Sequence, residues 1–166
     1  MSVKRFTQAV ALLMTVGLLT ACPSGKHALP EIGPTEILSV RQSGLEYHAR
    51  IDTGAVETSL HAIDMHVIDG VDDKKKNVGK TIEFTSLNED GQSVAISAVI
   101  VETSRIRNSQ GEEIRYMVEL DVGYKGLERK IKVNLRDRSK MSYKLLIGRN
   151  WLKDNYVVNV ALPSPK

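Results

Sequence analysis

Hydrophobic and polar residues alternate along most of this chain, and the alternation predicts strands. In Leu45-Glu46-Tyr47-His48-Ala49-Arg50-Ile51 every second residue is apolar, the period of a strand with one buried face. Residues 114–122 repeat the pattern, with Ile114, Tyr116, Val118, Leu120 and Val122 on one side. Residues 127–135 follow with Leu127, Ile131, Val133 and Leu135, although Arg129 interrupts the face. Gly123-Tyr124-Lys125-Gly126 joins these two runs and predicts a hairpin. A second hairpin is predicted around Asn88-Glu89-Asp90-Gly91, with arms at residues 81–87 and 92–102. Residues 70–80 read as a polar surface loop. Only residues 149–155 have helical character, over about two turns. Many strands on short turns predict a mainly β fold, either a sandwich or a small barrel.

The N-terminus departs from this pattern. Lys4 and Arg5 precede an uncharged apolar run at residues 9–19. That run is shorter than the roughly 20 residues a membrane span needs, and it suits the core of a secretory signal. It ends in Leu19-Thr20-Ala21-Cys22. Small residues let a signal peptidase bind the extended chain, and the cysteine offers a thiol for lipid attachment. The pattern resembles a bacterial lipobox. The expectation is a signal peptide at residues 1–21 and membrane attachment through a lipid on Cys22. A plain secretory signal with an incidental cysteine is the alternative. Cys22 is the chain's only cysteine, so intramolecular disulfides are excluded. Residues 22–34, with Pro23, Gly25, Pro30, Gly33 and Pro34, read as a tether, and residues 35–166 as the folded domain. The expected location is the bacterial cell envelope, facing the periplasm. Pro23 rather than Asp after the cysteine points to the outer membrane.

Composition adds limits. The 166 residues are 42% hydrophobic and 26% charged, which fits one globular domain and excludes wholesale disorder. The formal charge of +3 falls to +1 once Lys4 and Arg5 are removed, leaving 21 basic against 20 acidic residues. Net charge therefore gives no pull towards nucleic acid, and no nucleic-acid partner is expected.

Two segments carry candidate chemistry. Asp52-Thr53-Gly54-Ala55 follows directly on the best strand. A carboxylate at the end of an apolar strand is costly unless it is used or paired. The neighbouring Thr hydroxyl can tie a turn, and Gly permits close approach of the backbone. A plain strand-ending Asp-x-Gly turn is the competing reading. The second segment is Leu145-Leu146-Ile147-Gly148-Arg149-Asn150-Trp151-Leu152, an apolar strand running through Gly into a short helix.

Together, and in this order, the two segments resemble the two halves of the retropepsin signature. With Thr58-Ser59-Leu60-His61-Ala62 and residues 135–141, they are similar to a bacterial family of retropepsin-like proteins often named ATP-dependent zinc proteases. The similarity covers roughly residues 37–162. It implies a mainly β, closed-barrel, retropepsin-like fold with one short C-terminal helix. It also implies an aspartic endopeptidase acting on peptide or protein substrates. Asp52, Thr53 and Gly54 would form the catalytic turn, and Ala55 would touch substrate. Ile147, Gly148 and Arg149 would support the turn from behind. Arg149 pairing with Glu57 is one expectation, and an ordinary solvated Arg is the other.

The older family name implies ATP and zinc, and the sequence supports neither. It contains no G-x-x-x-x-G-K-[ST] loop and no H-E-x-x-H. His27 falls in the tether and His48 on a polar strand face. His61 and His66 are five apart and face opposite sides of a strand. His61 reads as a structural hydrogen-bonder. No metal and no cofactor is expected.

Aspartic proteolysis needs two carboxyl groups about 3 Å apart that share one proton. This chain has a single Asp-Thr-Gly, so the resemblance implies a homodimer. Residues 156–162 would supply an interface strand, and Thr53 would hydrogen-bond across the dyad. A flap must also cover the substrate. The expected flap tip is Asn88, Glu89, Asp90 and Gly91, with the 123–126 turn as the alternative. Asp52 and Gly148 are 96 positions apart, so an extra hairpin must be housed between them. Arg136-Asp137-Arg138 is either an ion-pair corner or part of a groove. Trp151 is expected in the core, and residues 129–132 on a solvated strand face. Two other functions fit the same residues: a non-catalytic envelope module that holds extended peptides, and a metal-dependent hydrolase.

Overall fold

The computed structural model describes residues 28–108 and 111–165. Residues 1–21, expected to be a signal peptide, and Cys22 and His27 lie outside them. The chain runs through β1 (Glu31–Ile32), β2 (Thr35–Val40), β3 (Leu45–Ile51), β4 (Thr58–His61) and β5 (Ile63–Val67). It continues through β6 (Thr81–Leu87), β7 (Ser93–Asn108), β8 (Gly111–Tyr124), β9 (Leu127–Arg136) and β10 (Leu145–Ile147). A helix, α1 (Arg149–Leu152), and β11 (Val157–Val158) end it. The strand order is β2-β3-β10-β4-β9-β8-β7-β6-β5, and β2 also pairs with β8. That extra pairing closes six strands into a ring and leaves β7, β6 and β5 as an extension. The mainly β, retropepsin-like architecture is as expected.

The ring closes because the alternating residues face one core. Leu38, Tyr47, Ala49, Leu60, Leu120, Val133 and Leu145 are all fully buried within it. Trp151 plugs one end: it is fully buried, donates from Nε1 to Val122 O (3.2 Å) and stacks on Tyr156 at 4.9 Å. The β8–β9 turn has Lys125 and Gly126 at φ of 50° and 83°. Two positive φ values are what a two-residue turn of matching twist demands.

Three expectations need correction. The tether is shorter than residues 22–34, because Glu31–Ile32 pairs in parallel with Val157–Val158 and Ile32 is fully buried. The helix spans residues 149–152 and not 149–155. Asp154 takes a left-handed φ of 62°, and Asn155 Nδ2 donates to the carbonyls of Trp151 and Lys153. The 156–162 segment is strand only at Val157–Val158, and its partner is β1 of the same chain.

Candidate active site

Asp52 emerges where β3 ends. Its N–H donates to Ile147 O at 2.9 Å, which ties the turn to β10. Its Oδ1 accepts from the N–H groups of Gly54 (2.9 Å) and Ala55 (3.2 Å), so the carboxylate closes its own turn. Asp52 is half-buried, while Thr53 and Gly54 are exposed.

The support behind this turn is dense. β10 lies parallel to β3 and antiparallel to β4, threaded between them. At its end Gly148 passes the Glu57 backbone so closely that a Cβ would lie 2.5 Å from the Glu57 carbonyl carbon. No side chain fits there. Gly148 N–H donates to Thr58 Oγ1 (3.1 Å), and that hydroxyl donates to Asn150 Oδ1 (2.9 Å). Asn150 Oδ1 also accepts the Thr58 amide, and its Nδ2 donates to Lys132 O (2.7 Å) and Glu57 Oε2 (3.2 Å). The first N–H groups of α1 are unpaired within a helix and take the carbonyls of Ala55 and Val56. Arg149 Nη1 donates to the carbonyls of Thr53 (3.1 Å) and Gly54 (3.4 Å).

In front of the turn lies a cleft of about 580 Å³. Residues 54–57, Ser59 and Leu146 form one wall. Residues 104–107 of β7, Arg115 of β8, Asn134 and Arg136 of β9, and Arg138 form the rest. Five arginines and one acid, Glu57, line the cleft, and the Glu89 and Asp52 carboxylates also act on Arg138 from nearby. Glu112 pairs with Arg105 and Arg107, and Glu113 pairs with Arg115. Among the described residues, Arg136 and Arg138 pair with no carboxylate. Arg138 is 6% exposed, with Nε donating to Tyr143 O at 2.9 Å. Burial first, then the Arg136 and Arg115 guanidinium groups, push it down to about 10, so it stays a cation at neutral pH. The Ser59 hydroxyl, on the same wall, is buried without a partner. This cleft suits a ligand that brings negative charge to a carboxylate-bearing turn.

The sequence matches the RimB-like family, described as retropepsin-like aspartic endopeptidase RimB, over residues 32–164. The chain belongs to this family. A solved structure from Legionella pneumophila, Lpg0085, a protein of unknown function (DUF785), superposes with a TM-score of 0.64 at 28% identity. The match covers 80% of this chain and 95% of that one. A relative from Desulfotalea psychrophila, named "Probable alpha-L-glutamate ligase", is 26% identical over 134 residues. That is 79% of this chain and only 28% of the relative, so the chain spans less than a third of that protein's length.

Within this RimB-like domain the two signature segments come together as the resemblance implied, and the expected flap does not. Asn88, Glu89, Asp90 and Gly91 do not line the cleft bordered by Gly54 and Ala55. Asn88 Nδ2 donates to Glu46 O (3.0 Å), and the Glu89 carboxylate accepts from the amides of His48 (2.9 Å) and Lys144 (2.5 Å). Asn88 and Asp90 border a separate hollow of about 590 Å³ beside the β2–β3 turn. The alternative turn, 123–126, also faces away from the cleft, with Gly123 pressed against Ser39. The β7–β8 hairpin lines the cleft instead. Arg149 does not pair with Glu57, since its Nη1 is occupied by the turn's carbonyls and Glu57 accepts from Asn150.

Asn150, Thr58 and the orphaned Ser59 lie in segments that carry the resemblance, but sequence reasoning assigns them no role of their own and does not single out Arg115 at all. Asn150 had a signal, as the residue after Gly148-Arg149 at the opening of the helix. Arg115 had none, because it sits on the polar side of an alternating strand. Arg136 and Arg138 prove to be groove residues. His61 is buried on β4, whereas His66 is exposed on β5. Among the described residues no three His, Cys, Asp or Glu side chains gather as a metal site.

Proposed function

We propose that the protein is an aspartic endopeptidase that works as a homodimer on acidic peptides. The braced Asp52 turn, in a chain of this family, is the observation that carries the reading. Two copies related by a two-fold axis would bring two Asp52 carboxyl groups together with one proton between them. The ionised carboxyl takes a proton from water as the oxygen attacks the scissile carbonyl, and the protonated one hydrogen-bonds the carbonyl oxygen. The tetrahedral species then collapses as the proton passes to the leaving nitrogen, with no covalent enzyme intermediate. Support for a second copy comes from an apolar hollow of about 290 Å³ beside the turn, lined by Thr53, Arg149, Leu152, Lys153, Tyr156 and Val158. Val157 and Val160, nearby in sequence, are 51% and 80% exposed.

The acidic preference rests on the unpaired Arg136 and Arg138, since desolvated guanidinium groups favour carboxylate partners. A similar region within a protein named as a glutamate ligase fits a substrate rich in glutamate. Anchoring through a lipid on Cys22, in the envelope and facing the periplasm, rests on Leu19-Thr20-Ala21-Cys22. Metabolic labelling with a radioactive fatty acid that is lost in Cys22→Ser tests it.

The main experiment compares the protein and Asp52→Asn on glutamate-rich and neutral peptides, with sedimentation alongside. The expected result is cleavage of the acidic peptide by a dimer and none by the variant. Cleavage that persists in Asp52→Asn, or that comes from a monomer, overturns the dyad. Binding of the acidic peptide without cleavage would favour a peptide-holding module.

A further inference from the structure

His61 is 2% exposed at the end of β4, and nothing in the proposed chemistry uses it. Its Nδ1 accepts the backbone N–H of Arg138 at 2.9 Å. An imidazole nitrogen accepts only when it carries no proton, so this bond requires the neutral ring with hydrogen on Nε2. The strand around it holds the same segment: Ala62 N–H donates to Arg136 O (2.9 Å) and His61 N–H to Lys144 O (2.8 Å). The ring thus clamps the chain where it leaves β9 and turns through residues 137–144. Arg138, whose amide is clamped, carries its guanidinium into the cleft wall beside Arg136 and Arg115.

The groups facing the ring come from two elements. Asp137, Arg138 and Lys144 belong to the 137–144 turn, and Glu89 belongs to the β6–β7 turn. Asp137 Oδ1 lies 3.8 Å from Nδ1 but is 65% exposed. Burial first and then Lys144 push His61 below the ordinary histidine range, Arg138 adds to this, and Asp137 and Glu89 oppose it. A proton on Nδ1 turns the acceptor into a donor that faces the Arg138 N–H. Two donors cannot share that contact.

We propose that His61 is a positioning residue that holds Arg138 in the cleft through the Arg138 amide, and that a proton on its Nδ1 releases the 137–144 turn and weakens binding of acidic substrate. The effect on substrate rests on the acidic-peptide reading above, whereas the effect on the turn does not. Because the folded form resists protonation, the clamp is complete above the unfolded histidine value of about 6.5 and is lost as pH falls through the lower folded value.

The experiment uses the full chain in detergent, as wild type, His61→Asn and His61→Leu. The Asn carboxamide oxygen accepts at any pH, and Leu accepts at none. Two quantities are read at about pH 7.5 and about pH 4, the acid point set well below the ordinary histidine value because burial lowers that of His61. One is KM and kcat for a glutamate-rich and a neutral peptide. The other is amide hydrogen exchange of residues 136–144 without substrate, corrected for intrinsic rates.

In wild type, acidification should raise KM for the acidic peptide about tenfold more than for the neutral one, the scale of one charge-assisted contact, with kcat changing alike for both. Exchange of residues 136–144 should quicken by a similar factor. His61→Asn should lose the change in exchange and keep only the part of the KM difference that protonation of the peptide's own glutamates causes, and His61→Leu should show weak binding and fast exchange at both values. Equal acid dependence in wild type and His61→Asn overturns the proposal, as does flat exchange in wild type should the variants not fold. If no form cleaves either peptide, the protease reading fails, and exchange alone decides whether His61 is the clamp.

Discussion

Two hairpins share strand β7 and do opposite things. The β6–β7 turn is fastened to the rest of the ring. Asn88 and Glu89 reach the backbone of β3, and Glu89 also takes the amide of Lys144. The arm behind it is fixed too, since the Ser86 hydroxyl meets the buried Tyr47 hydroxyl at 3.0 Å. The β7–β8 hairpin presents arginines to the cleft, and those towards its tip pair within the hairpin, Arg105 and Arg107 with Glu112 across the strands, while Glu102 further down pairs with Lys132 of β9. A turn whose side chains satisfy distant backbone groups is a clasp. A hairpin that satisfies its own charges keeps its cleft-facing edge available. The polar residues of a turn therefore say little about mobility until their partners are known.

The sharpest way to break this contrast is at Glu89. Glu89→Ala leaves two amides without their acceptor and should cost about 2 to 3 kcal/mol in urea unfolding. An unchanged midpoint would mean that the turn is not a clasp. Tyr47→Phe removes one buried hydrogen bond and should cost about 1 kcal/mol. Burial raises the Tyr47 phenol above its ordinary value. The stability it contributes is therefore complete below about pH 10 and lost as pH rises through the folded value, a loss that Tyr47→Phe should abolish in alkaline unfolding curves. The smallest stability effect is expected in the other hairpin. Arg105→Ala should change stability by less than about 0.5 kcal/mol, since the Arg105–Glu112 pair is exposed. The same variant should raise KM for a glutamate-rich peptide about threefold. Loss of stability as large as that of Glu89→Ala would erase the distinction.

The strand pattern was legible where one face meets the core. Residues 45–51 form β3 with the expected bounds, because Tyr47 and Ala49 are both fully buried. The Asp52 turn and the Gly148 crossing were legible because each depends on backbone sterics that few residues satisfy. The flap was misread for a physical reason. Asn88-Glu89-Asp90-Gly91 is strong turn chemistry, but the carboxylate and carboxamide that favour a turn also bind strands 40 or more residues away. The basic cleft was hidden because Arg115, Arg136 and Arg138 are scattered along the chain. Only the β8–β9 register and the turn after β9 bring them together.

Trp151 is the chain's one tryptophan, and it sits flat against Tyr156 at the end of the ring. Tyr156 and its neighbour Leu152 also line the apolar hollow beside the Asp52 turn. Indole emission therefore reports from a single, known place next to the surface assigned to the second copy. Diluting the protein while following the intensity of the buried indole, which responds to any shift of its stacked neighbour Tyr156, gives an optical titration of assembly with no label attached and no residue changed.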